Sequence, residues 1–278
     1  MTAQQLSAPQ KLVLRRPPGA GTILFRILVG LMYLFLLAPL IIVVVISFSS
    51  NQYISFPPEG FTLRWYELLP TKTQFMSGLQ TSLITAGITT VIVLLIGVPA
   101  SLAIHRYEFR GKAMVSAFFL SPLLVPSIVI ALGLVLLLGP MGLTNTYFSI
   151  ILGHIGITIP YLMRTTLTSL ATSDTSCEEA AKVLGASGVT VFRRVTLPII
   201  APGVIAGGVL AFIVSFDELV ISLFVAESGK PTLPVQVMRY VENSADAVVA
   251  ALSVVLILFS VLIVVLVERL VGLRKALN

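Results

Sequence analysis

Charged residues are scarce in this chain of 278 residues. Only 11% of the residues are Asp, Glu, Lys or Arg, whereas a soluble domain has about 25%. Apolar residues make up 56% of the chain, and the mean hydropathy is +1.01. So little charge does not cover a water-exposed surface, which excludes a soluble hydrolase and a disordered regulator. The composition predicts an integral membrane protein.

Cysteine and histidine are nearly absent as well. Cys177 is the only cysteine, which excludes an intramolecular disulfide, a secreted disulfide scaffold and a cysteine-rich metal site. His105 and His154 are the only histidines, so no multi-histidine metal site is expected. His154 lies in an apolar block without an acidic partner there, and we predict that it is packed and bonded to a backbone carbonyl.

Six apolar blocks are each long enough to cross a membrane as a helix, which takes roughly 20 residues. Helices satisfy every backbone donor and acceptor within lipid. We place the six-span region at residues 23–272, with tails at residues 1–22 and 273–278. The predicted spans are Ile27–Phe48, Ser82–Ile104, Met114–Leu138, Thr146–Leu167, Ile199–Val225 and Ala247–Val267. A short interfacial helix is predicted between the first two spans, over Leu63–Leu69.

The basic residues predict the orientation of these spans. Fourteen of the 18 Lys and Arg residues fall on the side that holds both termini, and basic residues mark the cytoplasmic side. Both termini are therefore predicted to be cytoplasmic, and the sequence pI of 9.7 needs no nucleic-acid partner to explain it. The fourteen are Lys11, Arg15, Arg16, Arg26, Arg106, Arg110, Lys112, Arg164, Lys182, Arg193, Arg194, Arg269, Arg274 and Lys275.

The predicted cytoplasmic loop at residues 171–198, between the fourth and fifth spans, has its own helix signals. Ser176 followed by Glu179 is a capping-box pattern, and acidic residues in a first turn suit the helix dipole. Gly185 is placed to end the helix in a left-handed conformation. We predict a helix over Cys177–Leu184, about 12 Å long, and a second short helix capped by Ser187.

The same loop carries a longer motif. It consists of Glu179-Ala180-Ala181, three further residues, Gly185, nine further residues and Val195-x-Leu197-Pro198. This motif resembles the EAA signature of binding-protein-dependent ABC importer permeases, with Val195 where that family usually has Ile. The resemblance extends from the first span to the end of the chain. It implies an all-α integral membrane protein with six transmembrane helices, the type I ABC importer permease fold and a cytoplasmic coupling helix.

The resemblance also implies partners and site residues. In that family the loop docks into a groove of an ATPase subunit, and this chain has no G-x-x-x-x-G-K-[ST] loop of its own. ATP and Mg are therefore expected on a partner ATPase, with no catalytic residue, metal or cofactor on this chain. The other expected partners are a second homologous permease, a periplasmic or extracellular solute-binding protein and membrane lipid, in a bacterial inner membrane. The predicted coupling residues are Glu178, Glu179, Ala180, Ala181, Gly185, Leu197 and Pro198.

Two acids, Asp217 and Glu218, lie inside the fifth predicted span. Ionisable residues within a membrane are costly and usually face a polar interior. No Lys or Arg lies in the neighbouring apolar stretch. Two interpretations stay open: the acids pair with another subunit or with water near the outer mouth, or they line the path of a cationic solute.

Further segments are similar to the spermidine/putrescine branch of the family. They are the run from Gly60 to Tyr66, the acidic segment from Ser215 to Glu218 and Thr232-Leu233-Pro234. That branch usually has Ser-Leu-Asp-Asp in the acidic segment. Here Phe216 and Glu218 replace Leu and Asp, and both negative charges are kept, on Asp217 and Glu218. The similarity implies the second, C-type permease of a heterodimer that carries a small cationic solute, a polyamine such as putrescine or spermidine.

Alternative solutes and one alternative class remain at this point. The same sub-family includes carriers of γ-aminobutyrate-like, opine and phosphonate solutes. A secondary carrier driven by an ion gradient predicts intramembrane acid–base networks and inverted repeats, and it leaves the EAA motif unexplained. A membrane scaffold without transport leaves the motif unexplained as well.

Overall fold

The protein is described by a computed structural model over residues 20–226, 229–244 and 246–271. The predicted C-terminal tail and residues 1–19 of the predicted N-terminal tail lie outside these ranges. Within them the chain forms twelve α-helices, and its only β pairings are two isolated bridges. The helices are α1 (Ala20–Ser47), α2 (Arg64–Leu68), α3 (Thr73–Arg106), α4 (Lys112–Leu120), α5 (Ser127–Leu138), α6 (Tyr147–Ala171), α7 (Ser176–Val183), α8 (Gly188–Val191), α9 (Leu197–Asp217), α10 (Val220–Val225), α11 (Leu233–Asn243) and α12 (Val248–Val271).

Five helices of the described chain are long and apolar enough to cross a membrane, namely α1, α3, α6, α12 and the run from α8 through α9. A sixth span exists if the bent pair formed by α4 and α5 counts as one. Counted in this way, the six predicted spans match the observed helices in number and order. Their bounds differ from the predicted ones, most of all at the start of α3, which begins nine residues before Ser82.

The third predicted span is not one continuous helix, which corrects the prediction for Met114–Leu138. α4 runs into a 3-10 turn over Ser121–Leu124, and the chain then bends by 106° before α5 begins. Val125 at the bend is extended, with φ −99° and ψ 126°. Pro126 explains this conformation, because proline disfavours the helical region for the residue before it.

The fifth predicted span, Ile199–Val225, is also broken. α9 ends at Asp217, Glu218 is extended with ψ 112°, and α10 begins at Val220. The two acids predicted to lie inside a helix therefore stand at a break between two helices.

The core is built around α6, which packs along both α3 and α9. Leu162 and Met163 of α6 are fully buried, together with Val93 of α3 and Ala211 of α9. Gly207 lets α9 approach closely, because a Cβ at this position would collide with Leu162 and with the Thr165 hydroxyl of α6. Small residues at four-residue spacing permit such contacts between membrane helices, and Gly203 provides the other one.

The bundle has two ends with different structure. We call the end that carries α7 and α8 the loop end, and the end that carries α2 and α11 the opposite end. At the opposite end Trp65 is buried and donates its indole N–H to the Ser49 carbonyl oxygen at 2.6 Å. The backbone N–H of Leu233 donates to Ser82 Oγ at 2.9 Å, which joins α11 to α3. The predicted short helix over Leu63–Leu69 is confirmed as α2, and its tryptophan closes this end of the core.

α1 lies at the edge of the bundle. It packs on α12, and most of its apolar side chains are exposed, with Phe35 at 79%. An apolar surface of this extent needs an apolar surrounding, either lipid or another protein chain. Its position agrees with a helix that spans the membrane at the periphery of the fold.

Candidate functional site

The loop end carries α7, the helix predicted over Cys177–Leu184. Its first turn is capped by Asp174, whose Oδ1 accepts the backbone N–H of Ser176 at 2.9 Å and its hydroxyl at 2.7 Å. These two hydrogen bonds lower the pKa of the Asp174 carboxyl. The predicted capping box at Ser176 is therefore wrong, because the carboxylate two residues earlier takes both donors of Ser176. Ser187 does cap α8, and its hydroxyl accepts the Thr190 N–H.

α7 ends at a left-handed Gly185, as predicted, with φ +86°. The Gly185 N–H donates to the Lys182 carbonyl oxygen at 2.9 Å, and the Ala186 N–H donates to that of Ala181 at 3.0 Å. This pair of bonds is the glycine-ended helix stop that satisfies carbonyls left over in the last turn. A Cβ at Gly185 would meet nothing within 4 Å, so the backbone conformation alone accounts for the glycine.

The two glutamates of α7 lie on different faces. Glu178 is buried and forms an ion pair with Arg106, the last residue of α3. Glu179 and Ala180 are exposed, and Ala181 is half-buried. Glu178 therefore anchors α7 to the bundle, whereas Glu179 and Ala180 are available to a partner.

The most exposed apolar side chains of α7 and its exit turn were missed at the sequence level. Val183 and Leu184 are each 87% exposed, and Val189 in α8 is 71% exposed. All three side chains lie on the loop end, and we call them the apolar tip. A signal for it is present in the sequence, since two apolar residues directly precede the glycine that ends the helix.

Leu197 and Pro198 are not on α7. They form the first turn of α9, after a π-helical turn over Phe192–Thr196. Proline is favoured in a first turn, because its missing N–H has no helical acceptor there. Of the predicted coupling residues, these two therefore connect the loop to the long helix α9.

A crevice of about 440 Å³ separates α7 from the end of α3. Arg106, Glu178 and Glu179 line it, together with residues of α8. Arg106 Nε is buried and has no hydrogen-bond partner within the described part of the chain. Arg106 was not among the predicted site residues, because 72 positions separate it from Glu178.

The two acids at the other end of α9 are brought to different places. Asp217 is exposed and lines a groove of about 310 Å³ between α9 and α12, together with Phe212, Phe216 and Ser260. Glu218 is half-buried, and its Oε1 accepts the backbone N–H of Ile221 at 3.0 Å, which caps α10. Neither carboxylate forms an ion pair within the described residues.

His154 is fully buried on α6 and faces the same break. Its Nδ1 lies 2.8 Å from Ser215 Oγ and its Nε2 lies 3.0 Å from Ser222 Oγ. The predicted packing is confirmed, but the predicted carbonyl partner is wrong: both ring nitrogens bond to serine hydroxyls. No group of three His, Cys, Asp or Glu side chains in the described ranges is arranged to hold a metal ion.

Comparison with known proteins finds a matching family and similar relatives. Residues 94–273 match the family described as "Binding-protein-dependent transport system inner membrane component". The spermidine/putrescine transport system permease protein PotC of Escherichia coli K12 is 34% identical over 233 residues, which cover 84% of this chain and 88% of PotC. The putrescine transport system permease protein PotI of the same organism is 33% identical over 241 residues, which cover 84% of this chain and 85% of PotI.

Solved structures show the same fold at lower identity. A chain of a bacterial ABC transporter that imports the acidic polysaccharide alginate matches with a TM-score of 0.65 and 19% identity, over 90% of this chain and 94% of that one. A chain of the inward-facing MetNI methionine ABC transporter matches with a TM-score of 0.60 and 18% identity, over 73% and 97% respectively. The predicted all-α fold of type I ABC importer permeases is thereby confirmed.

Proposed function

The chain belongs to the family of binding-protein-dependent transport system inner membrane components, and from this membership we propose that it is the permease subunit of an ABC importer for a small cationic solute. The importer takes up a polyamine such as putrescine or spermidine. The chain forms one half of the translocation pathway, and a second, homologous permease forms the other half.

The observation that carries the coupling part of this proposal is the geometry of α7. A short capped helix presents Glu179, Ala180 and the apolar tip outward, while Glu178 ties the same helix to Arg106 of α3. A rigid, exposed helix with an apolar surface fits a groove on another protein. In the importer, α7 docks into a groove of an ATPase dimer that binds ATP and Mg.

The orientation follows from the same assignment. The loop end faces the cytoplasm, where an ATPase meets its nucleotide, and the opposite end faces the extracytoplasmic solute-binding protein. Arg106, Arg110, Lys112 and Lys182 all lie at or near the loop end, as the positive-inside rule requires of a cytoplasmic face. Both termini are then cytoplasmic.

The cationic solute is supported by two facts. The relatives named above transport spermidine and putrescine according to their names, and Asp217 and Glu218 stand at a break in a membrane helix without an ion pair in the described chain. Carboxylates at such a position stabilise a passing cation. Asp217, which lines an open groove, makes the stronger contribution, because Glu218 already accepts a backbone N–H.

Reconstituted uptake tests the solute class. Proteoliposomes that hold this chain with its permease partner and ATPase, supplied with the binding protein, take up labelled putrescine, and unlabelled spermidine competes. The double variant Asp217→Asn/Glu218→Gln abolishes this uptake, while the complex still co-purifies. Competition by γ-aminobutyrate, an opine or a phosphonate in place of spermidine would reassign the solute. Unchanged uptake by the double variant would remove the two acids from the pathway.

A further inference from the structure

The break between α9 and α10 is bridged by one side chain from a third helix. Ser215 lies in the last turn of α9 and Ser222 in the first turn of α10. His154 of α6 is bonded to both, at 2.8 Å and 3.0 Å. All three residues are buried, and none of them belongs to the residues assigned to coupling or to the solute path.

The bridge has a complete set of donors and acceptors. A neutral imidazole offers one N–H donor and one nitrogen acceptor, and a serine hydroxyl donates or accepts as needed. Either tautomer of His154 therefore satisfies both hydroxyls. In a site that excludes water, an unpaired polar group is costly, so the three side chains hold one another in place.

α10 is also held in place by contacts that do not involve His154. A Cβ at Gly153 would collide with the Ile221 side chain, so α10 lies directly against the α6 backbone. At the end of α10 the Val225 carbonyl oxygen accepts the Asn145 N–H at 2.7 Å. These contacts hold α10 with or without His154.

The last turn of α9 is held by the bridge and by Phe216, which is buried and whose ring centroid lies 5.5 Å from that of Phe259 in α12. A helix end leaves its last carbonyl groups without helical partners, and the extended Glu218 separates this end from α10. The bond from Ser215 to His154 connects that turn to the same α6 residue that holds Ser222. The angle at the break is then set relative to α6.

We propose that His154 is a positioning residue that clamps the break between α9 and α10 and thereby sets where Asp217 and Glu218 stand. The proposal rests on the proposed function in one respect, namely the role of the two acids in the solute path. The clamp itself concerns only the geometry of the break, so a distance measurement tests it and no transport assay is needed.

Spin labels provide that distance. In the full complex with Cys177→Ser, one label is placed at residue 217 and one at Thr168, which is exposed on α6. His154→Leu broadens the distance distribution about twofold, because the last turn of α9 loses its hydrogen bond to α6 and samples more positions. His154→Gln keeps a donor and an acceptor and stays closer to the width of the parent protein.

The matched control is Thr158→Val. Thr158 is buried one turn along α6 and donates to the His154 carbonyl oxygen at 2.6 Å, so it loses a buried hydrogen bond that does not touch the break. Its distribution keeps the parent width. The double variant Ser215→Ala/Ser222→Ala removes the bridge but keeps His154. It is measured instead of His154→Leu if the His154→Leu protein does not assemble. An unchanged width in whichever bridge variant assembles overturns the clamp.

Uptake then separates the clamp from the solute path. In chains with native Asp217, His154→Leu lowers uptake about tenfold at unchanged assembly, as expected when positioning of a contact group is lost, and Thr158→Val does not. A broadened distribution with normal uptake would overturn the positioning role, provided that the Asp217→Asn/Glu218→Gln variant is inactive. If that double variant is active, the solute path fails, and the distance distribution still decides the clamp.

Discussion

Arg106 and Glu178 form an ion pair that joins the last residue of α3 to the first turn of α7. The two side chains are 19% and 10% exposed. α3 continues from this pair to Thr73 at the opposite end of the bundle, a helix of 34 residues. α3 therefore connects α7 to the side of the bundle where α2 and α11 lie.

Removal of one partner of this pair uncouples α7 from α3. We expect Glu178→Gln to lower uptake about tenfold, because loss of the carboxylate charge leaves Arg106 as a largely buried, unpaired charge. ATPase subunits still bind, since Glu179 and the apolar tip are unchanged, so ATP hydrolysis exceeds solute uptake. The measurement is the ratio of ATP hydrolysed to solute taken up.

The control is the other ion pair of the described chain, Lys112–Glu108, in which the Glu108 side chain is 91% exposed. Lys112→Gln changes the same kind of contact at the surface, where a pair contributes little, and it leaves the ratio unaltered. Equal ratios for Glu178→Gln and the parent protein would show that the Arg106 pair transmits nothing.

Gly185 is required for its backbone conformation. We expect Gly185→Ala to destabilise the α7 turn by about 1 kcal/mol, the cost of a left-handed conformation with a Cβ, and Gly185→Asn to cost less. Gly188 is the matched control, because a Cβ there also meets nothing within 4 Å and its φ is not positive. Hydrogen exchange of the α7 amides measures the difference. Equal exchange in Gly185→Ala and Gly188→Ala would contradict the assignment.

In the proposed assembly the apolar tip contacts the ATPase. We expect Val183→Asp or Leu184→Asp to abolish co-purification of the ATPase, because each puts a charge where an apolar side chain is to be buried. The fold tolerates either change, since both side chains are 87% exposed. Phe61→Asp changes an apolar residue that is 76% exposed, near the opposite end, and it keeps the ATPase bound. Retention of the ATPase by both tip variants would rule the tip out as the interface.

Cys177 reports the orientation directly. It is the only cysteine of the chain, and it is exposed on α7. We expect a membrane-impermeant maleimide to label Cys177 in inverted vesicles from which the ATPase has been removed. In intact cells we expect no labelling. Phe61→Cys in a Cys177→Ser background reverses the pattern. Labelling of Cys177 in intact cells would place the loop end outside and refute the proposed orientation.

The sequence predicted those parts of the fold that depend on local chemistry. α6 and α12 follow from the length of their apolar blocks, and Gly185 follows from the needs of a helix end. The bend before α5 could have been predicted from Pro126, which disfavours the helical conformation at Val125. The apolar length of Met114–Leu138 outweighed that signal.

The remaining features depend on contacts between distant parts of the chain. Nothing near Glu178 in the sequence indicates Arg106, and nothing near His154 indicates Ser215 and Ser222, which follow 61 and 68 residues later. No proline or glycine near Glu218 indicates the break in the sequence. α10 packs against Gly153 of α6, and this contact joins residues that are far apart in the sequence.

ATP-driven uptake by the reconstituted assembly tests the central claim most directly. Proteoliposomes with ATP on the side of α7 and the binding protein on the other side accumulate putrescine, and vesicles without ATP do not. An imposed ion gradient has no effect on either. Accumulation driven by an ion gradient in vesicles that contain no ATP would contradict the account, because it would mark a secondary carrier in which α7 has no ATPase to engage.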